Sequence, residues 1–367
     1  MAEETKKRKA DHIKIALRND VQARQVTTGF EDIHFVHRAL PEIDRKEVDL
    51  ETTVFGHKFA APIIVGAITG GTAEGLRINA ALAEAVEELK LGMGVGSQRA
   101  AIEDKSIEKT FSVARLKAPS AFLIANIGAV QLTNGYGIKE MEKAIEILKA
   151  DALALHLNAL QEAVQPEGQT NFRGILPRLG ELIKETKEPI IAKETGAGIA
   201  AEDAKALERT GVKGIDVSGA GGTSWAAVEY YRATERINIS QRRLGSAFWD
   251  WGIPTAVSVV EVVQTVRIPT IASGGVRSGI EMAKAIALGA SLVSLSQPML
   301  KTAVQGVEAT RKSLSLLIDE LRTAMFLVGA RTVDELKKTQ IVISGKTAEW
   351  LRMRGFRLED YARRCGD

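Results

Sequence analysis

The sequence predicts an α/β fold: a (β/α)8 TIM barrel with an N-terminal extension and a long loop after strand six. Three observations carry this. From about Pro62 onward, short apolar runs alternate with longer helical patterns. There are eight such runs. Each is rich in Ile, Val, Leu and Ala with little period-2 alternation, the pattern of parallel strands buried on both faces. Eight alternations fit a closed barrel. A doubly wound open sheet is the runner-up, because periodicity cannot see closure.

The strand candidates are PIIVGA (62–67), GMGVGS (92–97), AFLIANI (121–127), ALALHL (152–157), PIIAKE (189–194), KGIDVS (213–218), PTIASG (269–274) and SLVSLS (291–296). Between them, segments such as AEGLRINAALAEAVEELK and AEDAKALERTG show i, i+3, i+4 apolar spacing, good helix formers and Gly near the exit. No linker rich in Pro, Ser or Gly splits the pattern, so residues 1–367 read as one domain. Residues 1–61 form an extension packing on the barrel. Residues 219–253, rich in Trp, Tyr and Arg, form a long insertion after strand six. Loops after barrel strands lie on the catalytic face, so this insertion is a candidate lid or substrate wall.

Bulk properties narrow the function. Of 367 residues, 45% are hydrophobic and 26% charged, ordinary globular values. The net charge of +3, from 49 basic and 46 acidic residues, argues against a general nucleic-acid binder. The single Cys365 cannot form an internal disulfide, and a reducing compartment fits it. The basic KKRK start is followed by no apolar run, and no run is long enough to span a bilayer. The expectation is a soluble cytoplasmic protein.

Phosphate signals come next. SGGVRSG (273–279) follows strand seven and opens a helix, and SLSQP (294–298) ends strand eight. Glycines let the backbone approach an anion, and free N–H groups at the helix start point at it. These are the loops where barrels commonly hold phosphate, and Arg277 adds a fork of donors. Other polar residues sit at strand ends: Thr69, Ser97, Arg99, Asn126, Ser218 and Thr223. Lys193 ends strand five inside PIIAKET. A buried lysine needs a negative partner. Its place suits an anionic cofactor atom such as the N1/O2 edge of a reduced flavin; an ion pair with Glu162 or Asp216 is the alternative. The stretch ALHLNALQE (154–162) crowds His156, Asn158, Gln161 and Glu162 at the end of strand four. In RKADH (8–12), Arg8 and His12 share a helix face and Lys9 is adjacent, a set able to clamp a diphosphate. From composition alone that segment reads as a solvated basic tail. His34, His37 and His57 read as structural or surface residues.

Nine blocks in order resemble one family, the type 2, FMN-dependent isopentenyl-diphosphate delta-isomerases. They are RKADH, GAITGGT (66–72), GSQRA (96–100), ANIGAVQL (125–132), HLNALQE (156–162), KETGAGI (193–199), DVSGAGGTSW (216–225), ASGGVRSG (272–279) and SLSQPML (294–300). The resemblance implies that Ala67, Ile68, Thr69, Ser97, Asn126, Lys193, Ser218 and Thr223 hold FMN. Its phosphate would lie against Gly275, Val276, Arg277, Ser296 and Gln297. The substrate diphosphate would meet Arg8, Lys9, His12, Ser97, Gln98 and Arg99. Gln161 would touch substrate, Glu162 would hold Mg2+, and His156, Asn158 and Trp225 would line the space near the reacting carbons. Gln161, His156 and Lys193 are the candidates for chemistry. The family implies isoprenoid biosynthesis, a reductant such as NADPH, and a homotetramer or homo-octamer.

The nearest rival is FMN-dependent 2-hydroxy acid oxidation. Its enzymes show S-N-H-G-G-R after strand six, with His as base and Arg on the substrate carboxylate. Here the block is SGAGGT (218–223), with Ala220 and Thr223 at those positions. Alanine cannot take a proton and threonine carries no charge. A non-catalytic FMN-binding scaffold is the remaining alternative.

Overall fold

The computed structural model describes residues 2–235 and 237–364. All eight expected strands form: β1 Ile63–Val65, β2 Gly92–Gly94, β3 Phe122–Gly128, β4 Ala152–Leu157, β5 Ile190–Glu194, β6 Gly214–Asp216, β7 Thr270–Ser273 and β8 Leu292–Leu295. They pair in parallel and close in the order β7-β8-β1-β2-β3-β4-β5-β6. Closure excludes the open sheet. Every residue of β3 is buried, the polar Asn126 included.

The extension does two jobs. A hairpin of Thr52–Val54 and His57–Phe59 plugs the N-terminal end of the barrel. Its turn residues Phe55 and Gly56 both have positive φ, 53° and 75°, as a two-residue type I′ turn requires. Phe59 packs on Phe122 with ring centroids 5.5 Å apart, and His57 stands 4.9 Å from Phe59. His34 and His37 are exposed.

At the other end lies helix α1, Ala2–Arg18. Composition suggested a solvated tail here, yet Ile13 and Ile15 are buried. Ile15 joins Val21, Ala227, Val228 and Trp249 in a small apolar cluster. That stripe, not the charge, decides where α1 sits. The helix Ala159–Val164, α2, follows β4. The insertion folds as α3, Trp225–Glu235, and α4, Ile239–Ala247. Beyond the barrel, helix Val307–Leu327 packs on the barrel helices, and Ile341–Ile343 pairs antiparallel with Ile33–Phe35. Among the described residues no helix is long and apolar enough to cross a membrane. Cys365 lies outside the described residues.

Candidate active site

Strand register builds the floor of the site. Gly128 pairs with His156, His156 with Lys193, and Lys193 with Asp216, so one row crosses four strands near their C-terminal ends. A Cβ at Gly128 would stand 2.8 Å from His156 Nε2, so glycine makes room for the ring. His156 Nδ1 bonds Asn126 Oδ1 at 2.7 Å. Burial, and then Lys193, Lys9 and Arg8, push the imidazole down to about 3. Near pH 7 this favours the neutral imidazole.

Lys193 Nζ donates to the Glu194 carbonyl at 2.6 Å and stands 4.0 Å from Asp216 Oδ2. Lys193 lines the cavity and has Asp216 for a neighbour, the ion-pair alternative expected from the sequence. Asp216 also accepts from the Ser273 hydroxyl, and burial raises its carboxyl above the ordinary range. Next along β5, Glu194 Oε2 accepts from the N–H groups of Thr195, Gly196 and Ala197, each at 2.5 Å. Burial still pushes Glu194 up to about 7.

Glu162 sits in the first turn of α2, and its carboxylate is held from three sides. Oε1 accepts from Asn158 at 2.9 Å; Oε2 accepts from Gln165 at 2.8 Å and from the Gln169 N–H at 2.7 Å. The Asn158 Oδ1 and Gln165 Oε1 oxygens are left buried without a partner beside it. The chain must turn tightly to bring Gln169 back. A Cβ at Gly168 would lie 1.7 Å from the Glu162 carbonyl oxygen. Gly168→Ala is therefore expected to destabilise the protein by about 1–3 kcal/mol, as forced overpacking does. Urea unfolding measures this, and wild-type stability would show that the turn has room.

Helix α1 brings the cations. Lys9 Nζ donates to the Ser97 carbonyl at 2.5 Å and lies 4.8 Å from the Phe111 ring centroid. Burial and the adjacent Arg8 push its ammonium down to about 7. His12 Nε2 bonds Glu229 Oε1 at 2.9 Å, and its ring meets Trp225 edge-on at 5.1 Å. Arg99 pairs with Glu103 at 2.9 Å.

The third part is the glycine loop after β7. Gly274 and Gly275 have φ of 100° and 72°, a region open to glycine. A Cβ on Gly275 would strike Thr28 Cγ2 at 2.4 Å, so the N-terminal strap also demands glycine there. Arg277 is steered by Gln22 Oε1 at 2.8 Å. Ser278 and Glu281 form a capping box that starts the helix behind the loop.

One cavity gathers these parts. Its lining includes every site residue expected from the sequence except Gln98. Gln98 is fully buried, its amide donating to the Ala144 carbonyl at 2.8 Å and accepting from the Asn126 N–H at 2.9 Å. The expectation that Gln98 meets the diphosphate is thus corrected: its side chain braces β3 from behind. The lining also includes Gln131, Gln165 and Thr195, which sequence reasoning passed over. Gln165 was visible as an i+3 neighbour of Glu162; Gln131 lay inside the ANIGAVQL block. Among the described residues, no three His, Cys, Asp or Glu side chains converge as a metal site by themselves.

Residues 1–124 and 158–343 match the FMN-dependent dehydrogenase family. The isopentenyl-diphosphate delta-isomerase of Methanosarcina barkeri is 48% identical over 362 residues, covering 99% of this chain and 98% of that protein. That of Thermococcus kodakarensis is 51% identical, covering 98% and 96%. The chain belongs to the FMN-dependent isopentenyl-diphosphate delta-isomerase family. Mandelate oxidase shares the fold, with a TM-score of 0.60 at 19% identity over 94% of this chain and 98% of that one. That likeness concerns architecture alone. In the block after β6 of this isomerase-family chain, Thr223 Oγ1 is buried without a partner and lines the cavity, while Ala220 does not line it.

Proposed function

We propose that this chain interconverts isopentenyl diphosphate and dimethylallyl diphosphate, a reading supported by its relatives, which are named isopentenyl-diphosphate delta-isomerases. The observation that carries the reading is one cavity holding two separate anion sites on different elements. One is the loop Gly274–Arg277 with Ser296 and Gln297; the other is Arg8, Lys9, His12 and Arg99. The first suits the FMN phosphate and the second a substrate diphosphate. The buried, unpartnered Thr223 hydroxyl supports a cofactor ring beside it.

Bound in its reduced form, with NADPH as reductant, FMN supplies the proton donor and acceptor for moving the double bond. Ala67, Ile68, Thr69, Ser97, Asn126 and Ser218 would line its seat, and Lys193 would place a cation at its N1/O2 edge. The groups at the end of β4 are poorly suited to that work. His156 favours its neutral form, and the Glu162 carboxylate is committed to three donors. The diphosphate clamp fixes the hydrocarbon end, so binding energy from the remote group goes into orientation. Gln161, Asn158, His156 and Trp225 form the wall that holds the reacting carbons still. Glu162 would hold Mg2+, which binds proteins through one or two carboxylates together with substrate phosphates. The unpartnered Asn158 and Gln165 oxygens beside it suit the waters such an ion keeps. Assembly as a tetramer or octamer belongs to the same reading.

The test is an isomerisation assay with FMN held reduced or oxidised. Turnover is expected only with reduced FMN, and equal rates would overturn the reading. In the same assay, Glu162→Gln is expected to raise the Mg2+ concentration for half-activity by at least ~10-fold. An unchanged Mg2+ titration would remove the metal assignment.

A further inference from the structure

Beside the cavity lies a group of buried charges that the proposed reaction does not use. Arg232 on α3 is 1% exposed and Glu229 0%. Arg232 Nη1 donates to Glu229 Oε2 at 2.5 Å, and Nη2 donates to Glu167 Oε1. The other Glu229 oxygen meets His12 Nε2 at 2.9 Å. Taking an arginine and a glutamate out of water costs several kcal/mol per ion. Apolar side chains of similar volume often serve stability as well or better, so stability alone does not account for the group.

Its connectivity does. One hydrogen bond and two ion pairs run from α1, through α3, to the turn at residues 166–169. Helix α1 carries Arg8 and Lys9 as well as His12. The turn carries Gln169, whose N–H holds the Glu162 carboxylate, and Gly168 lets it close over that residue. Arg8 feels the same group: burial lowers its guanidinium most, Glu167 and Glu162 favour its charge, and Arg232 and Arg99 oppose it. The three elements are separate in sequence, and each brings one part of what would face a diphosphate–metal pair.

We propose that Glu229, Arg232 and Glu167 form a buried latch that ties α1 to the Glu162 turn and sets the spacing between the cationic clamp and the carboxylate. They are positioning residues, acting through His12, Arg8 and Glu162. That the anion is a diphosphate rests on the proposed function; the latch itself rests on the hydrogen bond and the two ion pairs.

Two variants test it. Glu229→Gln with Arg232→Met removes both buried charges at similar volume, and Glu167→Gln cuts the outer link where the side chain is 38% exposed. The probe is inorganic diphosphate with Mg2+, bound to the FMN-loaded protein and followed by calorimetry. The dissociation constant is expected to rise about tenfold in the double variant and about threefold in Glu167→Gln, the scale of coupling between contacting residues. FMN affinity is expected to stay within about twofold, and tryptic cleavage in residues 7–18 to accelerate. With substrate, KM rises while kcat holds, because the latch acts on binding shared by ground and transition states. Unchanged diphosphate affinity in the double variant overturns the latch. So does a parallel fall in FMN affinity and thermal stability, which marks a merely structural role. Weakened diphosphate binding in a protein that isomerises nothing even as wild type leaves the latch standing and removes the reaction.

Discussion

Lys193→Met is expected to lower turnover by about 10²–10³-fold, the usual effect of removing one preorganised group that stabilises developing charge. The substitution keeps the length of the side chain and removes its ammonium. The position is fixed by register: Lys193 stands between His156 and Asp216 in one row, with its Nζ pinned to the Glu194 carbonyl. A simpler role competes with this one. Asp216 is buried, and Lys193 is 4.0 Å away, so the lysine could act solely as its counter-ion. The double variant Lys193→Met with Asp216→Asn separates the two roles. Breaking a buried pair from one side is costly, and removing both charges relieves that cost. The double variant is expected to regain stability over Lys193→Met and to stay slow. Recovery of turnover along with stability would reduce Lys193 to a counter-ion. A second readout, the affinity for FMN in each variant, keeps cofactor loss from being mistaken for slow chemistry.

The barrel was legible because its signal is local. Each of the eight strands is a short apolar run, and the helices between them show apolar spacing within their own windows, some with an exit glycine such as Gly211, so no distant contact is needed to see them. Site residues at strand ends were legible for the same reason: barrel geometry turns every strand end toward one face. The rest depended on contacts that no window of sequence contains. Gln98 sits between Ser97 and Arg99, which both reach the cavity, yet its side chain turns back to Ala144 and the Asn126 N–H. Nothing in GSQRA announces that reversal. Helix α1 reads as a tail because of its crowded charges; Ile15 finds its surface beside Ala227 and Val228 of α3, and Ile13 in the main core. Glu229 and Arg232 are spaced i, i+3, which on an isolated helix is the pattern of a weak surface pair. Their burial comes from α1 and the 166–169 turn closing over them, at separations of 217 and 65 residues.

Lys9 should make anion binding fall as pH rises through neutrality. Burial, with Arg8 beside it, pushes its ammonium from 10.5 down to about 7. A bound diphosphate favours the charged form. Below about pH 7 Lys9 is already charged, and its contribution to affinity is flat. Above that, binding must take up a proton, and affinity is expected to weaken by up to ~10-fold per pH unit until the pKa of the complex is reached. Inorganic diphosphate also loses protons of its own, the last of them on the alkaline side, and this acts in the opposite sense, so the wild type is read against a variant at each pH. Lys9→Arg isolates the protein's part, because a guanidinium stays charged throughout and is expected to flatten the alkaline limb. Folding runs the other way. With a native pKa of about 7 against 10.5 unfolded, the unfolded chain binds more protons between those values. Lys9 therefore costs stability below about pH 7, and that cost fades as pH rises toward 10.5. Calorimetric titration of inorganic diphosphate across the range, beside urea unfolding at the same pH values, reads both effects. A wild-type binding profile that runs parallel to that of Lys9→Arg would mean that Lys9 does not face the anion. Opposite slopes for binding and stability would mean that the ammonium is kept half-charged in the free protein and is completed by the ligand.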